Sequence, residues 1–442
     1  MKLRQWLFLI YCSPLLISGV ACASQDPQMP GTAKVNKISL REVIAFALDR
    51  DPSVNLQAAQ IGIGEAQIDE ARSAWMPQII LNGGTGRNKT TDAGGALNTS
   101  ASWGMTLTQL VYDFGKTHNA IAQREAQRDG YRFQLMATLT SVAEKSAQAF
   151  IEIKRYSELT EAARISAAEL ENVQRMARLR AEAGLSSRSD ELQTQARLSG
   201  LRALQQQYAA ALQSAKARLA VICGIVAEEY EALPELQRVR YDNLDSIDFA
   251  TLPAVSAARS MEKSSQYNIA QAKAQHWPTI SVKGGRTRYT ADNRAWWDDQ
   301  IQLSVDMPVY QGGAVSARVQ QAEGGRVQAA SQREQAKFEL LLKASVAKAD
   351  WQGARGRIAS VQAQLTSAQH TRQVYKNEYT LGKRSINDLL SAEQDVWQAL
   401  SAKIMAEYDG RAAAVAYEAA IDNLLPAVGI AQKKLSELPE LN

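Results

Sequence analysis

Apolar and polar side chains alternate with period two in Ile301-Gln302-Leu303-Ser304-Val305-Asp306-Met307, odd positions apolar and even ones polar. One greasy and one wet face is the mark of a half-exposed strand. Trp103, Met105, Leu107, Gln109 and Val111 repeat the pattern less cleanly. Polar stretches at 87–99 and 291–299 read as the turns of two hairpins, about 78–112 and about 279–310. Elsewhere the period lengthens to three and four. From 116 to 182 there is no proline and only Gly130 interrupts, predicting a helix roughly 100 Å long. Leu135, Leu139, Val142, Ser146, Ala149, Ile153 and Tyr156 form its narrow seam. A second such helix covers 314–380, and shorter ones are expected at 186–224 and 386–424, after turns at Gly184 and Gly382. Helices at 40–74 and 255–276 lead into the hairpins and stop at a proline. Seams this narrow cannot close a globular core; they need other long helices beside them.

The two halves of this pattern are copies of each other. Trp75-Met76-Pro77 is echoed by Trp277-Pro278, Gly83-Gly84 by Gly284-Gly285, and Tyr112-Asp113-Phe114-Gly115 by Tyr310-Gln311-Gly312-Gly313. Gly184, Asp190 and Leu192 recur as Gly382, Asp388 and Leu390. The period far exceeds that of solenoid repeats. The chain therefore divides into a leader at 1–23, a first unit at 24–229, a linker at 230–254, a second unit at 255–424 and a tail at 425–442.

The leader carries Lys2 and Arg4, then an uncharged stretch to Ala23 that ends in the small-x-small string Ala21-Cys22-Ala23. That is an export signal; Pro14 and Gly19 argue against a membrane anchor, and Cys22 leaves a lipidated start as an alternative. Cleavage removes two positive charges, taking the net charge from +4 to +2, and leaves Cys223 as the sole cysteine, read as a buried apolar residue. Mild charge excludes a dedicated nucleic-acid binder, and no apolar run resembles a membrane helix after the leader.

Four strands of membrane-crossing length cannot close a barrel, because closure takes about eight. An open edge in lipid leaves backbone groups unsatisfied at several kcal/mol each. If the strands span a membrane, several copies must close the cylinder. Trp103, Tyr289, Trp296 and Trp297 at the hairpin ends, with Tyr112 and Tyr310 at the strand ends, are placed like interfacial girdles. A soluble sandwich or a pore-less periplasmic coiled-coil scaffold are the alternatives.

With these features the chain resembles the TolC family of Gram-negative outer-membrane exit ducts. The duplicated unit, the Trp-Pro hairpin entries, the Tyr-x-x-Gly exits and the string at 379–392 carry the likeness. It implies an α plus membrane β-barrel fold. A homotrimer would form a 12-stranded β-barrel, four strands per chain, on a long α-helical barrel with a small mixed belt, built from 230–251 and residues after Leu425. It further implies outer-membrane lipid, a periplasmic adaptor (membrane fusion) protein and an inner-membrane ABC or proton-driven transporter as partners, with no nucleic acid, no cofactor and no metal. The leaning is towards type I protein secretion, on the unlipidated leader and the string Gly-Leu-Ser-Ser at the first turn, with multidrug or metal efflux as the alternative.

The resemblance also implies a gate at the periplasmic tip: Tyr379 and Arg384 against Asp190, Ser189 adjacent, and Asp388 as a lumen-facing acid. Ser391 stands where the best-known member of the family has a second acid one turn later. Gly184, Leu185, Ser186, Gly382, Lys383 and Ser385 are the expected adaptor-docking tip. Strings that imitate enzyme motifs fail on context: Asp113-Phe114-Gly115 lacks a catalytic loop, Gly115-Lys116-Thr117 lacks the rest of a phosphate loop, and His118, His276 and His370 are scattered.

Overall fold

The computed structural model describes residues 33–89, 97–234, 247–291 and 294–430. The leader, residues 235–246 of the linker and residues 431–442 of the tail lie outside them. The first half runs β1 (Ala33–Ile38), α1 (Leu40–Arg50), α2 (Pro52–Ser73), β2 (Gln78–Lys89), β3 (Leu97–Tyr112), α3 (Lys116–Glu182), α4 (Arg188–Cys223) and β4 (Ile225–Tyr230). The second runs α5 (Pro253–Ala274), β5 (Thr279–Ala291), β6 (Arg294–Asp306), α6 (Ala314–Thr380), α7 (Ile386–Ala420) and α8 (Leu424–Ala427).

Both 67-residue helices, α3 and α6, start at a left-handed glycine, Gly115 and Gly313. Asp113, part of the motif decoy, serves the start of α3: its carboxylate accepts from the backbone N–H of Thr117 at 2.7 Å and of Gly115 at 3.1 Å, satisfying donors that the first turn leaves open. The seam of α3 buries Leu135, Val142, Ser146, Ala149 and Ile153, and along its length α3 packs with α2, α4, α5 and α7. Alanine and serine on it let the helices approach closely.

The leading helix of the first half is not continuous. The sequence suggested one helix over 40–74; the structure ends α1 at Arg50 and restarts α2 at Pro52. Proline has no N–H to continue a helix but suits a first position, and the Asp51 carboxylate accepts from the Ser53 N–H at 2.8 Å to cap the new start.

The mixed belt also differs from expectation. Its described part is a parallel pair, β1 with β4, Ala33 opposite Ile225 and Ile38 opposite Tyr230. Both strands pack with α1 and α8 over one core of Val43, Ile44, Phe150, Ile225 and Leu424, each large buried apolar side chain contributing ~1.5–3 kcal/mol. Cys223 joins this core, its thiol donating to the Val43 carbonyl at 3.4 Å, and burial pushes the thiol up to about 12.

The other sheet has the order β2-β3-β5-β6, antiparallel throughout. Its two hairpins join through β3 and β5, with a register shift between Leu110 and Tyr112; the polar break in the alternation is Gln109, whose amide donates to the Trp75 carbonyl at 2.9 Å. β6 already begins at Arg294, so residues 295–299, assigned to a turn on polarity, are strand. Cross-strand partners account for it: Arg286 bridges Asp299 at 3.3 Å, and Arg288 lies opposite Trp297. β6 ends at Asp306, before Pro308, so Tyr310 lies beyond the strand it was expected to end.

Candidate functional site

Two regions combine unusual exposure with specific chemistry: the four-stranded sheet at one end of the helices and the paired turns at the other.

In the sheet, directly opposed residues share a face. Ile79, Leu107, Gly284 and Ile301 form one row across the four strands; Leu81, Met105, Arg286 and Asp299 form the next, and Gly83, Trp103, Arg288 and Trp297 the next. Ile301, Leu303 and Val305 on this face are 87%, 66% and 59% exposed. An apolar surface of this extent, left bare by the chain itself, demands a covering. The opposite face carries Ser102, Thr106, Thr108, Lys283, Gln302, Ser304 and Asp306, with Lys283 3.8 Å from Asp306. Among the described residues β2 and β6 are edges without a partner strand.

The expected aromatic girdle splits between these faces. Trp103 and Trp297 stand on the apolar face with ring centroids 5.3 Å apart. Tyr289 and Trp296 stack at 5.7 Å on the polar face instead. Neighbouring positions on a strand point to opposite sides, so Trp296 and Trp297 cannot both meet lipid. Tyr112 ends β3 and meets Phe114 edge-on at 4.7 Å, while Phe114 stacks on Trp277 at 5.6 Å. This second aromatic group sits where strands become helices. Lys116 ties the two halves there, its Nζ donating to the Trp277 carbonyl and the Thr279 hydroxyl at 2.8 and 2.7 Å.

At the far end, the two turns share one construction. Leu185 N–H donates to the Arg180 carbonyl at 2.8 Å, and Lys383 N–H to the Glu378 carbonyl at 2.9 Å. Gly184 and Gly382 hold φ of 69° and 72°, the left-handed cap that reverses a helix. Ser187 and Ser385 then cap α4 and α7. Gly184, Leu185, Gly382, Lys383 and Ser385 are exposed and Ser186 is half-buried.

The residues expected to form a gate lie close to these turns but are wired differently from expectation within one chain. Tyr379 is buried among Leu170, Val173, Leu198, Ile386 and Leu389, and its hydroxyl lacks a hydrogen-bond partner. Burial first, and then the charge of Asp190, push its hydroxyl pKa up. Arg384 does not pair with Asp190; its Nε donates to Glu378 at 3.0 Å, its Nη1 lies 3.8 Å from Asp388, and it covers the Tyr375 ring at 4.2 Å. Proximity in sequence decides this, because Glu378 and Asp388 flank Arg384 on its own hairpin. Asp388 is held by the Ser385 hydroxyl at 2.8 Å. Ser189 bonds Ser187, and Ser391 is exposed.

Sequence reasoning missed a residue that helps join the two hairpins. Arg180, in the last turn of α3, donates to the carbonyls of Tyr379 and Thr380 at 2.9 and 3.1 Å and covers the Tyr379 ring at 5.1 Å. A cation one turn before a capping glycine was the available signal. Nearby, Glu393 is buried against Arg372 at 3.6 Å beside a cavity of about 300 Å³ lined by Leu170, Leu201 and Trp397.

Among the described residues no helix is long and apolar enough to cross a membrane. Residues 43–225 and 250–422 match the family model described as outer membrane efflux protein. The chain is 23% identical over 397 residues to the outer membrane efflux protein BepC of Brucella suis, covering 86% of this chain and 85% of that one. It is 25% identical over 431 residues to protein CyaE of Bordetella pertussis, covering 93% and 90%. In fold it is similar to the outer-membrane channel OprN, with a TM-score of 0.80 at 18% identity over 87% of this chain and 90% of that one.

Proposed function

Because the chain belongs to the outer membrane efflux protein family, we propose that three copies close into one passive duct. In this reading β6 of each copy pairs with β2 of the next to give a 12-stranded barrel, and the long helices continue it as a periplasmic tunnel. The observation that carries this is the sheet: one bare apolar face, one polar face and two unpaired edges. An isolated edge in lipid is not tolerated, and twelve strands rather than eight leave an aqueous lumen. The polar face then lines the lumen, and the paired turns at Gly184 and Gly382 form the periplasmic mouth.

The mouth docks a periplasmic adaptor that connects to an inner-membrane transporter. We assign the cargo to type I protein secretion with an ABC transporter, on the Gly184-Leu185-Ser186-Ser187 string and on the leader. Drug or metal efflux is the second reading, favoured by the efflux name that BepC carries. Around a three-fold axis Asp388 forms a carboxylate ring that prefers cations, with Arg384 of the same hairpin as the cation that sets how much of that charge is free.

The test of the duct is membrane fractionation, heat-modifiable migration and planar-bilayer conductance. A heat-resistant trimer that conducts ions is expected; a soluble species recovered without detergent overturns the reading. A deletion strain separates the cargoes. Loss of a secreted protein with unchanged drug susceptibility supports secretion, and the reverse pattern supports efflux.

A further inference from the structure

The apolar face of the sheet carries two arginines. Arg286 and Arg288 alternate on one side of β5, so both project from the face that holds Leu107, Ile301 and Leu303. Arg288 lies in one row between Trp103 and Trp297; Arg286 lies in the adjacent row between Met105 and Asp299. The Trp297 ring sits 4.6 Å from the Arg286 guanidinium carbon and 5.7 Å from that of Arg288. Asp299, 3.3 Å from Arg286, is the sole carboxylate bridged to this pair among the described residues. A net positive charge therefore remains on an otherwise lipid-seeking surface.

An arginine on the lipid face costs ~2–4 kcal/mol at the bilayer midplane and ~0–1 near an interface. The pair must then mark headgroup level. The strand lengths agree: Trp103 and Tyr112 on β3 are nine residues apart, roughly 30 Å at ~3.3 Å per residue. At a tilt of about 40° that leaves ~23 Å between the two aromatic groups, close to the apolar band of such barrels. The arginines lie at the end remote from the helices, hence in the outer leaflet if the helices occupy the periplasm.

We propose that Arg286 and Arg288, framed by Trp103 and Trp297, bind the headgroup phosphate of an outer-leaflet glycolipid. This rests on the barrel reading above. A guanidinium fork matches a phosphomonoester through two parallel hydrogen bonds, and the Trp297 indole, itself braced edge-on by Trp103, holds both forks against the strand so that their N–H edges stay available. Asp299 aligns Arg286 and leaves Arg288 to meet the anion.

The test uses the purified full chain in detergent, with bisphosphorylated lipid A and its dephosphorylated form as probes and inorganic phosphate as competitor; liposome insertion is measured in parallel. The wild type is expected to hold the phosphorylated form at least tenfold more tightly. The R286Q/R288Q variant, and more weakly R288Q, should fall towards the dephosphorylated level while keeping heat-resistant migration. Equal binding of the two lipids by a wild-type chain that inserts overturns the site and leaves the barrel standing. Complete displacement of the lipid by millimolar inorganic phosphate overturns the lipid assignment. A wild-type chain that does not insert overturns the barrel reading, and this site with it. Should the double variant fail to assemble, the comparison of lipids on the wild type decides.

Discussion

Arg180 covers the ring of Tyr379 at 5.1 Å and donates to the same residue's carbonyl at 2.9 Å. One side chain from the first helical hairpin thus grips both the ring and the backbone at the end of α6 in the second. Two charge-assisted bonds and a cation–π contact at a half-exposed site each contribute on the order of 1 kcal/mol, a measurable share of what holds the hairpins together. Arg180→Ala is expected to raise single-channel conductance in planar bilayers and speed amide exchange over residues 375–390. Arg180→Lys should restore only part of the grip, because an ammonium can donate to both carbonyls as Nη1 does but has no planar face to lay over the Tyr379 ring. Unchanged conductance and exchange would place the grip elsewhere.

Arg384 neutralises two acids of its own hairpin, Glu378 and Asp388. Arg384→Ser frees both carboxylates at the mouth. The duct reading expects a larger conductance and a stronger preference for cations, read as reversal potential in a salt gradient. Asp388→Asn should shift that potential the opposite way. A mouth indifferent to both changes would rule out the carboxylate ring.

Gly104 sits where the hairpins join. A Cβ there would meet the Thr287 hydroxyl at 2.5 Å and the Arg286 carbonyl at 2.7 Å, whereas at Gly86 nothing lies within 4 Å. Gly104→Val is expected to part β3 from β5, at ~1–3 kcal/mol or more, and to abolish heat-modifiable migration. Gly86→Ala should leave it intact. Equal behaviour of the two variants would contradict the β3–β5 seam.

Glu418 is 2% exposed, and the Asn423 amide donates to it at 2.6 Å. Burial raises its pKa, with the Asn423 bond opposing. The folded state therefore holds the proton more tightly than the unfolded chain, so this stabilisation is complete below the ordinary carboxylate range and disappears as pH rises through the folded value. Glu418→Gln should raise the melting temperature by a few degrees at pH 7–8 and converge with the wild type near pH 4. A constant offset across pH would exclude ionisation as the cause.

Much of this architecture is written locally. The α3 seam and the β6 alternation are periodic signals, and Gly184 and Gly382 punctuate them; each needs only a few neighbours to act. What escaped the sequence depends on distant partners or on the pleat. Arg180 acquires meaning only beside Tyr379, nearly two hundred residues away. Tyr289 and Trp296 read as lipid-facing until the register puts them opposite each other on the polar face. The β1–β4 pair is six residues against six, too short to announce itself. Asp51-Pro52 is a local signal, a cap and a break inside an otherwise helical pattern, as is the position of Arg180 one turn before Gly184.

The pairings β1 with β4 and β3 with β5 impose an order of events. Ala33 must wait for Ile225, and Thr106 for Gly285, so a chain delivered from its amino terminus finishes neither sheet early. The first hairpin keeps its inner edge unsatisfied until the second arrives. Such long-separation contacts form slowly, and during that interval the half-delivered polypeptide leaves greasy strands and an open edge bare to self-association.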